Sequence, residues 1–303
     1  MKVLCSGLNV VDILVFVPFN SNIGHKNECD QILMQGGAPA GNAACALSAL
    51  GHETYFLGYF GNNPLSKVAI DELTRHGVKD DFFIEKSEAV PAMAVVEIDD
   101  KGERTVFYSK KDYMPFSPND FKSEDLKEFD LILVDGYDTE INIHLLKLAN
   151  QFGIRSVLDM EAAEISVMRE MISLCTDAVL PLEAAQRISG KIDIIQSLQA
   201  ISKITNSNVV ITDGANGSFA LNDSGALIHQ PAFTVEVVDT TGCGDAFHAA
   251  YASGILQGLD LRERMKYASY YASQVAKCAG GRTWLPNKLF MEKNYPIIKH
   301  INS

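Results

Sequence analysis

Val237-Val238-Asp239-Thr240-Thr241-Gly242-Cys243-Gly244-Asp245-Ala246-Phe247 joins two β-branched residues, a Gly-x-Gly turn and an acid, and leads into Ala249-Ala250-Tyr251-Ala252-Ser253-Gly254. The pattern predicts a strand end at Val237–Val238, a tight turn, and a helix over Asp245–Gln257. Glycines permit positive φ and close approach of a ligand to the backbone. The free N–H groups and the dipole at a helix start favour an anion, so the turn is a candidate phosphate cradle. Asp245 opposes an anion by its own charge. It is either a simple helix cap or a base placed to take a proton from a hydroxyl that attacks a phosphoryl group. There is no third glycine for a dinucleotide fingerprint and no Gly-Lys-Ser/Thr for a Walker loop.

Outward from this turn, apolar runs alternate with helical patterns. Val3–Cys5, Thr54–Gly58, Leu131–Val134, Ser156–Leu158, Ala178–Leu180 and Val209–Thr212 read as buried strands. Ala43–Leu50, Pro64–His76, Ile143–Gln151, Ala162–Ser173, Ile192–Thr205 and Arg262–Lys277 read as helices. Such alternation implies right-handed crossovers and a mainly parallel sheet covered on both faces, an α/β class fold. Two stretches alternate apolar and polar residues instead: Ile13–Val17 with Glu28–Met34, and Ala92–Ile98 with Arg104–Ser109 around Asp99-Asp100-Lys101-Gly102. They predict a small half-exposed sheet, a candidate lid, over residues 13–35 and 91–112. The α/β body then comprises residues 1–12, 36–90 and 113–303.

Two further glycine clusters stand out. Gln35-Gly36-Gly37-Ala38-Pro39-Ala40-Gly41-Asn42 reads as a loop entering a helix, with an amide at Asn42 able to donate and accept toward a hydroxyl. Thr212-Asp213-Gly214-Ala215-Asn216-Gly217 precedes the strand Ser218–Leu221 and reads by itself as a hairpin turn.

The 303 residues carry 26 basic and 38 acidic side chains, a formal net charge of −12. Without a basic stripe the chain has no footprint for nucleic acid or an anionic membrane surface. No apolar run approaches a membrane span, and Val10–Phe19 lacks the basic leader of a signal peptide. The six cysteines, Cys5, Cys29, Cys45, Cys175, Cys243 and Cys278, form no metal pattern. A reduced, cytoplasmic protein without structural zinc is expected.

In this order and spacing the segments resemble the ribokinase-like, phosphofructokinase-B-type family of carbohydrate kinases, from Gly7 to Gly280-Gly281-Arg282. The diglycine loop with Asn42, and Asp239-Thr240-Thr241-Gly242-Cys243-Gly244-Asp245, carry most of the likeness. The resemblance implies a three-layer α/β/α sandwich with a β lid, and transfer of phosphate from ATP to a sugar hydroxyl. It implies Asp245 as base and the backbone of Gly242, Cys243 and Gly244 as anion hole. Asp12, Asn9, Gly37 and Asn42 match its substrate side, and Thr212, Gly214, Gly217 and Ser269 its nucleotide side. Asp239 and Thr241, facing Ala279–Gly281, resemble the monovalent-cation loop of some members, which take K+. Mg2+ arrives with the nucleotide, and the edge strands of the lid are pairing templates for a homodimer.

The chain also departs from the family. Cys243 replaces a small residue, and the spacing from Gly37 to Asn42 is longer. The Asn-x-x-Glu segment that supports magnesium appears as Pro181-Leu182-Glu183-Ala184, leaving Glu183 as its nearest acid. His248 reads as a hydrogen-bonded packing residue, Trp284 as packing, and Lys110-Lys111 as a solvated face. If those lysines turned inward with Arg104, an acidic sugar would fit. A nucleoside kinase, stacking its base on Phe16, Phe107 or Tyr108, and a sugar-sensing protein that has lost turnover are the competing functions.

Overall fold

Strands apolar on both faces need cover on both sides, and the chain supplies it with helices between almost every pair. The computed structural model describes residues 1–17, 24–29, 31–99 and 104–295. The chain runs β1 (Lys2–Ser6), β2 (Val10–Phe16), β3 (Gln31–Gly37), α1 (Pro39–Ala49), β4 (Glu53–Phe60) and α2 (Pro64–Arg75). It continues through β5 (Phe83–Glu85), β6 (Ala92–Ile98), β7 (Arg104–Ser109), β8 (Leu131–Asp135), α3 (Thr139–Phe152), β9 (Arg155–Asp159) and α4 (Ile165–Leu174). Then follow β10 (Asp177–Pro181), α5 (Leu182–Ser189), α6 (Ile194–Ile201), β11 (Asn208–Thr212), β12 (Ser218–Leu221) and β13 (Leu227–Gln230). The helices α7 (Cys243–Leu256), α8 (Leu261–Val275) and α9 (Lys288–Asn294) complete it.

The main sheet has the order β13-β12-β11-β10-β9-β8-β1-β4-β5. It is parallel from β5 to β11 and antiparallel at its β12 and β13 end. Side chains alternate across it. Val3, Cys5, Leu131, Leu133 and Val179 pack with α1, α2, α7, α8 and α9. Leu4, Ile132, Val134, Leu158 and Leu180 pack with α3, α4, α5 and α6. This is the three-layer α/β/α sandwich expected. The second sheet, β3-β2-β6-β7, joins the two remote hairpins through the parallel pair β2–β6.

That small sheet has two unlike faces. The row Gln35, Asp12, Ala94 and Tyr108 crosses all four strands on one face. The row Met34, Ile13, Val95 and Phe107 crosses them on the other, with Met34, Val95 and Phe107 exposed. The tip residues Asp100-Lys101-Gly102 lie outside the described residues.

Three local expectations are corrected. Val237 and Val238 form no strand: residues 231–240 run as an irregular connection, held where the Val238 N–H donates to the Ala276 carbonyl at 2.9 Å. Helix α1 starts at Pro39 rather than Ala43, because proline is suited to a first helical position, where its missing N–H has no partner to lose. Asn42 is therefore in the first turn of a helix and not in a loop. Strand β2 begins at Val10, three residues early, so Asp12 is carried by the small sheet. The strands β5 and β13 and the helices α5 and α9 add to what the pattern showed; β5 and β13 are short edge strands. Among the described residues no helix is long and apolar enough to cross a membrane.

Helices α1 and α7 are in contact, and both are rich in fully buried alanines: Ala43, Ala44 and Ala46 on one, Ala249 and Ala250 on the other. Small side chains let the two first turns approach closely. Ala249→Leu, one turn after Asp245, overpacks this core and is expected to cost about 1–3 kcal/mol, read as a lower urea midpoint with an unchanged slope; an unchanged midpoint contradicts the close packing.

Candidate functional site

Ligands of open parallel sheets sit beyond the carboxyl ends of the strands. That edge here is met by the inner face of the small sheet and by the first turns of α1 and α7. Between them lies a cavity of about 150 Å³. Asp12, Val10, Ala94, Val96, Arg104, Val106 and Tyr108 line it from the small sheet. Ala38, Asn42, Tyr137, Glu161, Thr241, Gly242, Gly244 and Asp245 line it from the body.

Asp245 stands in the first turn of α7, nearly buried. Its Oδ2 accepts a 2.6 Å hydrogen bond from Asn42 Nδ2. Asn42 Oδ1 in turn accepts from Arg282 Nε at 2.7 Å, and Arg282 Nη2 donates to the Gly37 carbonyl at 2.7 Å. Asn42 thus turns its NH2 toward the cavity, and its oxygen is engaged behind it. The amide is fixed in one sense, so Asn42 can present only its NH2 to the cavity, whereas the sequence alone allowed either end.

Asp12 faces Asp245 from the other side. A Cβ at Gly37 would lie 2.0 Å from Asp12 Oδ2, so the glycine admits the carboxylate. Gly37 acts through Asp12 and Arg282 and does not line the cavity itself. Burial pushes the Asp12 carboxyl up to about 6, against the pull of Arg282 and Arg104. Asn9 is buried beside α1, and its Oδ1 has no hydrogen-bond partner among the described residues. Arg104 reaches from β7 to the turn, where Nη1 donates to the Thr240 carbonyl at 3.3 Å. Lys110 stays exposed, its Nζ 5.2 Å above the ring of Tyr137. Tyr108 lines the cavity, whereas Phe107 lies on the opposite face and Phe16 packs near Leu14, Val96 and Ile98. Neither Phe107 nor Phe16 meets a ligand in this cavity.

The Gly-x-Gly turn is as expected in kind. Gly242 has φ 74°, and a Cβ there would sit 2.7 Å from Gly281 Cα. Gly244 has open space where a side chain would be, so a ligand can reach its backbone. Asp239 fastens the turn: it accepts from the Thr241 N–H at 2.8 Å and from the Gly280 N–H at 2.7 Å. The Thr241 hydroxyl is buried without a hydrogen-bond partner among the described residues. Burial pushes the Cys243 thiol up to about 12, so it is not a nucleophile at neutral pH. His248 is buried with Nδ1 2.7 Å from the Gly244 carbonyl and Nε2 3.1 Å from that of Val179. Its Nδ1 also lies 3.2 Å from the buried Asp159. That is the packing role read from the sequence.

Thr212, Gly214, Gly217, Ser269 and Glu183 do not line this cavity. Thr212 ends β11, in register with Pro181 at the end of β10. Gly214 is open, but a Cβ at Gly217 would lie 2.1 Å from the Gln230 carbonyl oxygen, so that glycine serves packing against β13. Ser269 is buried on α8, and Glu183 is exposed on the first turn of α5. Trp284 meets Phe290 edge-on at 5.2 Å between ring centroids. Among the described residues no three carboxylate, histidine or cysteine side chains are grouped to hold a metal.

Sequence reading missed Glu161, Tyr137 and Arg282. Glu161 sits at the rim; burial of its carboxyl and the charge of Asp245 push it up to about 7. Its position two residues past a strand end was the available signal. Arg282 carried none, because its burial arises from a tertiary crossing.

Residues 2–288 match the profile of the pfkB family carbohydrate kinases. The chain is 27% identical over 271 residues to the bifunctional ribokinase/ribose-5-phosphate isomerase A of Fructilactobacillus sanfranciscensis, covering 84% of the chain and 48% of that protein. It thus spans about half the length of that relative. It is 24% identical over 288 residues to the ketohexokinase of Mus musculus, covering 91% and 96% of the two chains. The structure of Arabidopsis thaliana ribokinase complexed with ribose and ATP superposes with a TM-score of 0.81 at 22% identity, covering 96% and 97%.

The Asp12 carboxyl holds its proton longer in the folded than in the unfolded chain, because burial raises it from 3.8 to about 6. Its contribution to stability therefore falls as pH rises through that window. A carbon-13 titration of Asp12 is expected to have its midpoint near 6. A midpoint at the ordinary carboxylate value sinks the claim of a desolvated acid.

Proposed function

The chain belongs to the pfkB family of carbohydrate kinases, and from that premise we propose that it phosphorylates a small, uncharged sugar of ribose or fructose type with ATP. The observation that carries this reading is the pair of carboxylates, Asp12 and Asp245, on opposite walls of one cavity. Asp12 orients substrate hydroxyls, with Asn9 behind it. Asp245 takes the proton of the attacking hydroxyl. The second hydrogen of Asn42 Nδ2 is available to the same hydroxyl oxygen, which aligns it for attack. The Gly242, Cys243 and Gly244 backbone receives the negative charge that develops on the transferred group. Arg104 brings a positive charge from the small sheet to that place and excludes water when the sheet closes.

Three carboxylates, Asp12, Glu161 and Asp245, line the cavity against the single guanidinium of Arg104. That balance favours a neutral sugar over an acidic or phosphorylated one, and exposed Lys110 does not change it. Mg2+ bound with ATP supplies charge neutralisation on the phosphates, with Asp245 and Glu161 the acids on that side. Asp239 and the unpartnered Thr241 hydroxyl offer oxygen donors that fit K+ beside the turn. Thr212, Gly214 and Ser269 are proposed for the nucleotide side. Tyr108 and Tyr137, both lining the cavity, support the second reading, a nucleoside whose base stacks on one of them. The exposed row Met34, Val95 and Phe107 supports a homodimer that covers it.

Asp245→Asn is expected to lower kcat about 10²–10⁴-fold in a coupled ADP-release assay over a panel of sugars and nucleosides. Wild-type turnover by this variant would end the mechanism, and activity confined to nucleosides would replace the sugar. Phe107→Arg is expected to halve the sedimenting mass without lowering the melting temperature. An unchanged mass contradicts the dimer.

A further inference from the structure

Among the described residues Arg282 is the largest fully buried side chain, and it lies behind the proposed base and does not line the cavity. Three glycines make its slot. A Cβ at Gly36 would lie 1.9 Å from Nη1, and one at Gly41 2.5 Å from Nη2. The carbonyl of Gly37 is the acceptor of Nη2. The diglycine loop, with Gly41, is thus shaped around a guanidinium. A buried cation without compensation is costly, and the charges facing it are Asp12 from β2 and Asp245 across Asn42, with Glu72 on α2 holding the Gly36 N–H at 3.0 Å.

The amide of Asn42 has two ends that differ only in their hydrogen-bonding sense. Arg282 has donors and no acceptor, so the end that meets Nε must be the oxygen. We propose that Arg282 is the positioning residue of this kinase: by taking Asn42 Oδ1 it fixes the amide so that Nδ2 clamps Asp245 and faces the attacking hydroxyl. A flipped amide would set its oxygen against the Asp245 carboxylate, repelling the base from its place. A lysine has the charge but not the fork needed to reach Asn42 and Gly37 together. The inference rests on Asp245 being the base.

Arg282→Lys is expected to lower kcat about 10–10²-fold, the scale of a reacting group misplaced by about 1 Å, with the sugar KM changed little. Because Arg282 acts through Asn42, the same substitution in an Asn42→Ala background is expected to lower kcat no further. A purely structural role would give additive losses, and additivity overturns the proposal, as does an unchanged kcat. Should Arg282→Lys fail to fold, Gly41→Ala reads the same contact: alanine favours the helix while its Cβ displaces Nη2. That variant is expected to melt no lower than the wild type and to lose kcat to a similar degree; full activity overturns the proposal. If Asp245→Asn keeps wild-type turnover, the base assignment fails; if it is dead while Arg282→Lys and Gly41→Ala are fully active, only the role of Arg282 fails.

Discussion

The 2.6 Å hydrogen bond from Asn42 to Asp245 ties the first turn of α1 to the first turn of α7. Much of the architecture serves to make that contact possible. The alanine seam lets the two helices lie close, and Pro39 starts α1 early enough to place Asn42 in its first turn. The segment after α8 then crosses behind both. Gly280 is held by Asp239, Gly281 packs on Gly242, and Arg282 closes the circuit to Asn42 and Gly37. Three stretches far apart in sequence, Gly37–Asn42, Asp239–Asp245 and Gly280–Arg282, are therefore fixed relative to one another by a handful of short polar contacts. Each is buried, where a hydrogen bond is costly to break.

The small sheet supplies the opposite wall, and its two faces are chemically unlike because strands alternate sides with period two. Asp12, Ala94 and Tyr108 look inward; Ile13, Val95 and Phe107 look outward. Asp12 and Arg104 ride on the same sheet, so any movement of it carries both the acid proposed to orient hydroxyls and the cation that approaches the turn. Coupling those two is a simple way to make sugar binding and closure over the phosphate a single event.

Most of the body was legible because buried parallel strands and amphipathic helices impose distinct periods. The failures are instructive. Val237–Val238 has strand-like residues, but its backbone meets only the end of α8, and a strand needs a neighbour. Pro39 and Gly41 look like breakers, yet proline is at home in a first turn and Gly41 makes room for a guanidinium. That Asp245 and Asn42 stand out was legible because both belong to local glycine motifs, and the structure brings them into one cavity. Arg282 was not, because Gly281 and Thr283 beside it say nothing of the glycines, 240 or more residues earlier, that form its slot. Glu161 and Tyr137 lie just past β9 and β8, and only the shared carboxyl edge of the sheet brings them together.

The acidic character of the chain is sharpest inside the site, where it appears at first to oppose the chemistry. Desolvation raises the carboxyl of Asp12, and desolvation together with the charge of Asp245 raises that of Glu161 at the exposed rim, so both hold their protons more tightly than free carboxyls. A neutral polyol donates hydroxyl hydrogens to these groups and so favours their ionised forms. In the proposed reaction the resulting negative field repels a bare polyphosphate, except at the one place where the backbone of the Gly242–Gly244 turn, the α7 dipole and Arg104 converge. In the proposed reaction that convergence sets where the transferred phosphate can sit. On the proposed mechanism it also gives a reason for Asp245 to share a helix turn with the anion cradle: there a carboxylate lies within reach of the attacking oxygen while the phosphate's charge is offset by its neighbours.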